Sequence, residues 1–167
     1  MKDFIFKSKV NNHEQIKKTL LEQINLIPKN PVMHEKDNIL HTDWNLPITM
    51  ERKYSILFMQ VISPHLEMMK KELDVAKVVI DNFWFQVYGK NGKHAWHTHS
   101  HTHFSNVYYL ECPEGAGTEF KNLDVQCEEG EILSFPAFLP HRSPPLLSDV
   151  TKTIIAFNCS FDYDYKK

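Results

Sequence analysis

From Lys77 onward the chain changes character: VVIDNFWFQVYG, EFKNLDVQC, EILSFPAF and TIIAFNCSF are short runs of β-branched and aromatic residues separated by Gly, Pro, Asn and Asp. Such side chains fit a pleated, half-buried surface, and turn formers at these intervals leave room for strands and little else. The pattern predicts about seven or eight antiparallel strands after residue 76, folded as a sandwich or barrel. Before it the periodicity is helical. Ile16, Leu20, Ile24 and Ile27 recur at three- and four-residue spacing, with Asn11 or Asn12 as cap and Pro28 as stop, which predicts a helix from Asn12 to Ile27. A second helix is predicted from about Met50 to Leu73, with Tyr54, Ile56, Leu57, Val61, Leu66 and Met69 on one broad face and Pro64 kinking or dividing it. Residues 28–47 read as an ordered loop or short edge strand, with Trp44 tucked against the body.

The expected class is therefore mainly β with N-terminal helices (α+β). We expect one domain over residues 1–167, with helices in 1–75 packing on an outer face of a β core in 76–167. At 167 residues and 42% hydrophobic content, a chain of this size builds a core without metal or disulfide support. With 19 Lys and Arg against 21 Asp and Glu, the formal charge of −2 offers no electrostatic footprint for a phosphate backbone, so nucleic acid is not indicated. Cys112, Cys127 and Cys159 are odd in number and lack Cys-x-x-Cys spacing, and MKDFIFKSKVNN has no signal-peptide pattern; a reducing cytoplasm is the expected location. Apolar runs such as Ile56–Ile62 fall far short of the roughly 20 residues that span a bilayer, so no membrane is expected. The Met and Leu positions of the second helix offer a face for a homodimer.

Five of the ten histidines lie between His94 and His103. On a strand, a period of two puts His97, His99, His101 and His103 on one face, and imidazoles two apart, about 6.5 Å between Cα atoms, can close on one ion. A third ligand is offered by His141 in GEILSFPAFLPH, 44 residues after His97, where Gly130 starts a strong strand and Pro136 and Pro140 bracket a turn. Two histidines from one segment and a distant third leave coordination positions open for water, oxygen or a substrate, the pattern of a catalytic non-haem metal. A solvated edge strand or an adventitious chelator would also show alternating histidines, and residue types alone leave open which adjacent pair binds.

The stretch from Asn82 to Asp162 resembles the catalytic core of 2-oxoglutarate- and iron-dependent oxygenases of a type met in marine bacteria and phages. The resemblance rests on W84FQVYG, H97TH99, S105NVYYL, G130EILSFPAFLPH141, K152 and I155AFN158, and covers about half the chain. It implies a double-stranded β-helix, also called a jelly-roll or cupin-like barrel, with Fe(II) held by His97, His99 and His141. It further implies O2 and 2-oxoglutarate as co-reactants, with succinate and CO2 released as a substrate is hydroxylated. The spacer to SNVYYL selects His97 and His99 and leaves His101 and His103 at the mouth. Lys152, 11 residues after His141, would meet the distal carboxylate of 2-oxoglutarate, assisted by Tyr109, while Asn158 lines the pocket.

Two departures from the family pattern stand out. The middle ligand is usually Asp or Glu, and here it is His99; Asp124 or Glu119 are the carboxylates that could replace it. Lys152 stands where Arg is usual, a point charge in place of a bidentate fork. The rival reading is a cupin-like three-histidine dioxygenase or isomerase that does not use 2-oxoglutarate. Arg142, next to His141 with opposite parity, is expected at the rim, where it could meet an anionic substrate, and the residues leave open whether the prime substrate is a small molecule or a peptide.

Overall fold

The computed structural model describes residues 4–162, in which two antiparallel sheets pack face to face with two helices on one outer side. The larger sheet runs in the order β1 (Phe6–Lys9), β9 (Glu131–Pro136), β7 (Phe104–Glu111), β11 (Lys152–Asp162), β5 (Lys77–Tyr88) and β4 (His41–Thr42). The smaller has β6 (His94–His97), β10 (His141–Ser143) and β8 (Glu119–Phe120), and β2 (Val32–Met33) with β3 (Asn38–Ile39) forms a separate hairpin. Seven of these strands follow residue 76, within the range the residue pattern predicts. The spine is the β11–β5 pairing, which runs from Lys152 opposite Tyr88 to Asp162 opposite Lys77.

Strand alternation divides the residues of this spine between two interiors. Phe85, Ile155 and Phe157 face outward, where helices α1 (His13–Asn25) and α2 (Tyr54–Glu72) lay Leu20, Ile24, Tyr54, Phe58 and Ile62 on them. Each such fully buried side chain contributes about 1.5–3 kcal/mol relative to exposure. The residues of opposite parity, Trp84, Gln86 and Tyr88 on β5 and Lys152, Ile154 and Ala156 on β11, face the smaller sheet and line the cleft described below. Gly130, at φ +83°, makes the turn into β9, and a Cβ there would press on the His13 ring at 3.0 Å.

Of the two outcomes expected at Pro64, division does not occur: helix α2 is continuous through it, the proline depriving only the Gln60 carbonyl of its partner, and Gln60 is exposed where water can replace it. Three expectations need correction. Trp44 is not tucked in but 56% exposed. Its neighbour Asp43 takes the inward position, accepting hydrogen bonds from Tyr54 Oη (2.7 Å), Arg52 Nε (2.8 Å) and the Phe85 amide (2.9 Å), and this turns the next side chain out. Of EFKNLDVQC only Glu119–Phe120 is strand. Finally, the histidine row is not one strand. β6 ends at His97, and His101 adopts φ +62°, so the chain bends before β7 and only His97 keeps a strand position.

Candidate metal centre

Strand pairing places the first two histidines. β6 and β10 are antiparallel with His97 directly opposite His141, so their rings stand side by side, 4.2 Å between centroids. His99 comes from the bend after β6. The bend is clamped to the turn between β9 and β10, with the His99 amide donating to the Ala137 carbonyl and the Ala137 amide to the His103 carbonyl, both at 2.9 Å. This brings the His99 ring to 5.1 Å from both others. One nitrogen from each of the three lies within 4.8 Å of the others, so the three can hold a single metal ion.

The hydrogen bonds behind the rings set which nitrogen is available. The Nδ1–H of His97 donates to the Ala95 carbonyl (2.7 Å) and that of His141 to the Leu139 carbonyl (2.9 Å). A carbonyl only accepts, so each Nδ1 carries the proton and each Nε2 keeps its lone pair. His99 Nδ1 is paired likewise with Asn158 Oδ1 at 2.7 Å, and Asn158 in turn donates to Asn82 Oδ1. Burial, and then the neighbouring His97, pushes His141 down to about 3; burial also lowers His97 and His99. All three are neutral bases near pH 7, as metal ligands must be. The chemistry of the donor set thus fits a divalent transition metal. Glu119 and Asp124 are not with the triad: Glu119 pairs with Arg142 at 2.6 Å and Asp124 is exposed, accepting from Gln126.

The same cleft contains Lys152, only 1% exposed. Its ammonium donates to Ser143 Oγ at 2.9 Å and lies 5.5 Å from the Tyr88 ring, but it forms no ion pair among the described residues. Burial lowers its pKa to about 8. Ser143 follows His141 by two residues on β10, so the hydroxyl that receives the lysine and the metal ligand project from one face, roughly 6.8 Å apart along the strand. Two further donors face no acceptor among the described residues: Trp84 Nε1 and Gln86 Nε2 are buried and unpartnered there, and both residues line the cleft. A buried donor without a partner costs about 1–3 kcal/mol, so a cleft with two of them beside an unpaired ammonium is electrostatically suited to an acceptor-rich anion. The cleft itself is narrow, about 30 Å³. It adjoins a wider chamber of about 420 Å³ at His94, His97, His99 and Trp84, whose other walls are Trp44, Asn82, Thr98, Ser100 and Asn158.

The other residues singled out from the sequence fall as follows. Tyr109 faces the same interior but lies outside the cleft lining; its hydroxyl is engaged with Thr118 Oγ1 at 2.7 Å, and Thr118 lines the cleft. His103 stacks on Phe161, and His101 is exposed. Arg142 lines the cleft, pairs with Glu119 and stacks on Trp96 at 4.9 Å. The sequence reading passed over Gln86, Tyr88 and His94. Gln86 and Tyr88 share the parity of Trp84, so alternation along β5 alone would have found them. His94 stacks on His97 at 4.1 Å and lines both cleft and chamber.

No protein-family model matches this sequence, and no curated protein matches it. The fold, however, is shared with solved proteins of the 2-oxoglutarate–Fe(II) oxygenase class. A viral collagen prolyl hydroxylase from Paramecium bursaria Chlorella virus-1, solved as its 2-oxoglutarate complex, superposes with a TM-score of 0.62 at 15% identity, covering 93% of this chain and 95% of that one. A Pseudomonas putida prolyl-4-hydroxylase gives 0.66 at 12% identity over 93% and 92%. An oxidoreductase of the 2OG-Fe(II) oxygenase family from Burkholderia pseudomallei gives 0.66 at 12% over 93% and 85%. No helix of the described residues is long and apolar enough to cross a membrane.

Proposed function

We propose that the chain is an Fe(II)- and 2-oxoglutarate-dependent oxygenase, its two sheets forming a double-stranded β-helix, that hydroxylates a substrate and releases succinate and CO2. The observation that carries this reading is Lys152: a buried ammonium without an acidic partner among the described residues, in the cleft that holds three convergent imidazoles. An unpaired buried charge costs several kcal/mol unless a ligand compensates it, and a dicarboxylate reaching from the metal to the lysine would do so. His97, His99 and His141 would hold the iron, which supplies the activation of O2 when bound. Lys152 and Ser143 would orient the distal carboxylate, while Trp84 and Gln86 offer N–H donors to the same anion. Asn158 fixes the His99 ring from behind. Among the described residues, the chamber outside the cleft has no Asp, Glu, Lys or Arg in its lining. It suits an uncharged group, on a small molecule or a peptide, presented against Trp44 and Trp84.

Anaerobic ferrous protein titrated with 2-oxoglutarate tests the proposal through the visible charge-transfer band of a chelated 2-keto acid. The band should grow to a one-to-one endpoint. No band at millimolar 2-oxoglutarate, with iron bound, would overturn it and favour a cupin-like three-histidine dioxygenase or isomerase, which the absence of a carboxylate from the triad also supports.

A further inference from the structure

The three imidazoles carry no negative charge, and the nearby Lys152 adds a positive one, so a divalent cation there has nothing in its ligand set to neutralise it. Where two histidines and a carboxylate hold iron, that charge sits on the metal itself. Here a carboxylate stands one layer further out, on an element remote in sequence. Asp37 ends the turn between β2 and β3, and its side chain is 15% exposed. Its Oδ1 accepts the Ala95 amide at 2.9 Å and lies 3.9 Å from His94 Nε2, while Oδ2 lies 3.2 Å from the exposed His34. The hairpin is docked just ahead of β6 by paired backbone bonds between Asn38 and Lys93, at 2.9 and 3.0 Å.

Ala95 is the residue whose carbonyl orients His97. Asp37 thus grips the peptide on one side of Ala95 while the His97 ring hangs from the other, and His94, 3.9 Å from the carboxylate, stacks on that ligand. We infer that Asp37 is the positioning carboxylate of the metal centre. It holds β6 so that the Ala95 carbonyl aims His97 Nε2 at the ion, and it supplies from outside the ligand set the negative charge that the set lacks. This rests on the metal reading of the triad. It also gives the N-terminal hairpin a role that the strand core does not contain.

Metal-free protein titrated with Co(II), followed by its visible spectrum, and with Fe(II) under anaerobic conditions provides the test. Asp37→Asn keeps an acceptor for the Ala95 amide and removes the charge. It should raise the metal Kd about tenfold, at the lower end of what carboxylates behind metal-bound histidines cost, and shift the Fe(III)/Fe(II) midpoint potential upward. Asp37→Glu should restore both; Asp124→Asn, a carboxylate far from the triad, should change neither. If Asp37→Asn also lowers the thermal midpoint of the metal-free protein, the pair Asp37→Glu and Asp37→Gln, alike in size and different in charge, decides the matter: equal metal affinity and potential in the two would overturn the inference. So would wild-type affinity and potential in Asp37→Asn. Wild-type protein that binds no metal would instead overturn the metal reading itself, and this inference with it.

Discussion

The two faces of the large sheet each bury histidine, and they treat it in opposite ways. Under the helices, His65 of α2 is 2% exposed and both its nitrogens are engaged, with Ser8 Oγ and Ser134 Oγ at 2.6 Å. Ser134 Oγ donates in turn to Asn106 Oδ1, and Asn106 Nδ2 donates to the Phe157 carbonyl. The chain of donors and acceptors is closed, so this histidine is spent on the fold. On the other face His141 is comparably buried, at 5%, yet only its Nδ1 is held, and its Nε2 points to two other free imidazole nitrogens. Burial of a histidine, and a lowered pKa, are common to both faces; the open lone pair belongs to one. The difference between structure and chemistry lies in what is left unsatisfied.

Substitution on the two faces should break this contrast most sharply. His97→Ala or His141→Ala should lose stoichiometric iron, a fall in affinity of at least about a hundredfold when one of three ligands goes, with little change in the stability of the metal-free protein. His65→Ala should do the reverse: full metal content by elemental analysis, but about 2–4 kcal/mol less stability in urea, since Ser8 and Ser134 lose their partner and a cavity opens. Iron retained in His141→Ala would show that the open lone pairs do not make the metal site.

Lys152 comes next in size. Lys152→Met should weaken 2-oxoglutarate binding roughly tenfold to a hundredfold, the loss of one charge-assisted contact. It should also stabilise the ligand-free protein by about 1–3 kcal/mol, because the uncompensated ammonium disappears. The pH dependence follows from the same burial. The folded pKa, about 8, lies below the ordinary 10.5, so the unfolded chain binds more protons between these values and stability rises as pH climbs from about 8 to 10.5. Affinity for 2-oxoglutarate should run the other way, greatest below pH 8 and falling above it as the free protein loses the lysine proton. Isothermal titration across pH 6.5–9.5 reads this; a flat profile would detach the lysine from the cosubstrate.

The smallest effects are expected where the residues sit outside the cleft. His103→Ala should keep nearly all of its iron, because that ring is stacked on Phe161 and accepts the Phe161 amide. Tyr109→Phe should change 2-oxoglutarate affinity by less than about threefold, since its hydroxyl is committed to Thr118 and it acts at one remove. A larger loss would place Tyr109 closer to the ligand than its contacts in the free protein do.

What could be read from residues alone divides along a physical line. Periodicity and turn formers depend on neighbours in sequence, and they located the strands after residue 76 and both helices within a few residues. His141 was legible as a third ligand from the GEILSFPAFLPH run, but its place opposite His97 was not, because the proline-bracketed turn carries the chain from the larger sheet to the smaller and the β10–β6 pairing that joins them is non-local. Nor was the bend at His101 legible, since alternating His and small hydroxyl residues read as strand until tertiary contacts from Ala137 and Cys159 draw the backbone elsewhere. Trp44 was misread for a similar reason: which of Asp43 and Trp44 turns inward is decided by Arg52, Tyr54 and Phe85, none adjacent to them. Asp37 left no local signal at all, because its meaning comes from a hairpin laid against a strand more than fifty residues away.

The narrowness of the cleft has a kinetic consequence. At about 30 Å³ the cleft is smaller than a five-carbon diacid, so binding of 2-oxoglutarate at Lys152, as proposed, would require molecules whose walls have parted. If such molecules are a fraction f of the population, the measured dissociation constant exceeds the intrinsic one by 1/f. When parting is slower than encounter, the rate of complex formation levels off at high 2-oxoglutarate concentration, at the rate of the parting itself. In a stopped-flow record of the charge-transfer band, a plateau in the observed rate would therefore report a motion of the two sheets, with the diacid as its probe.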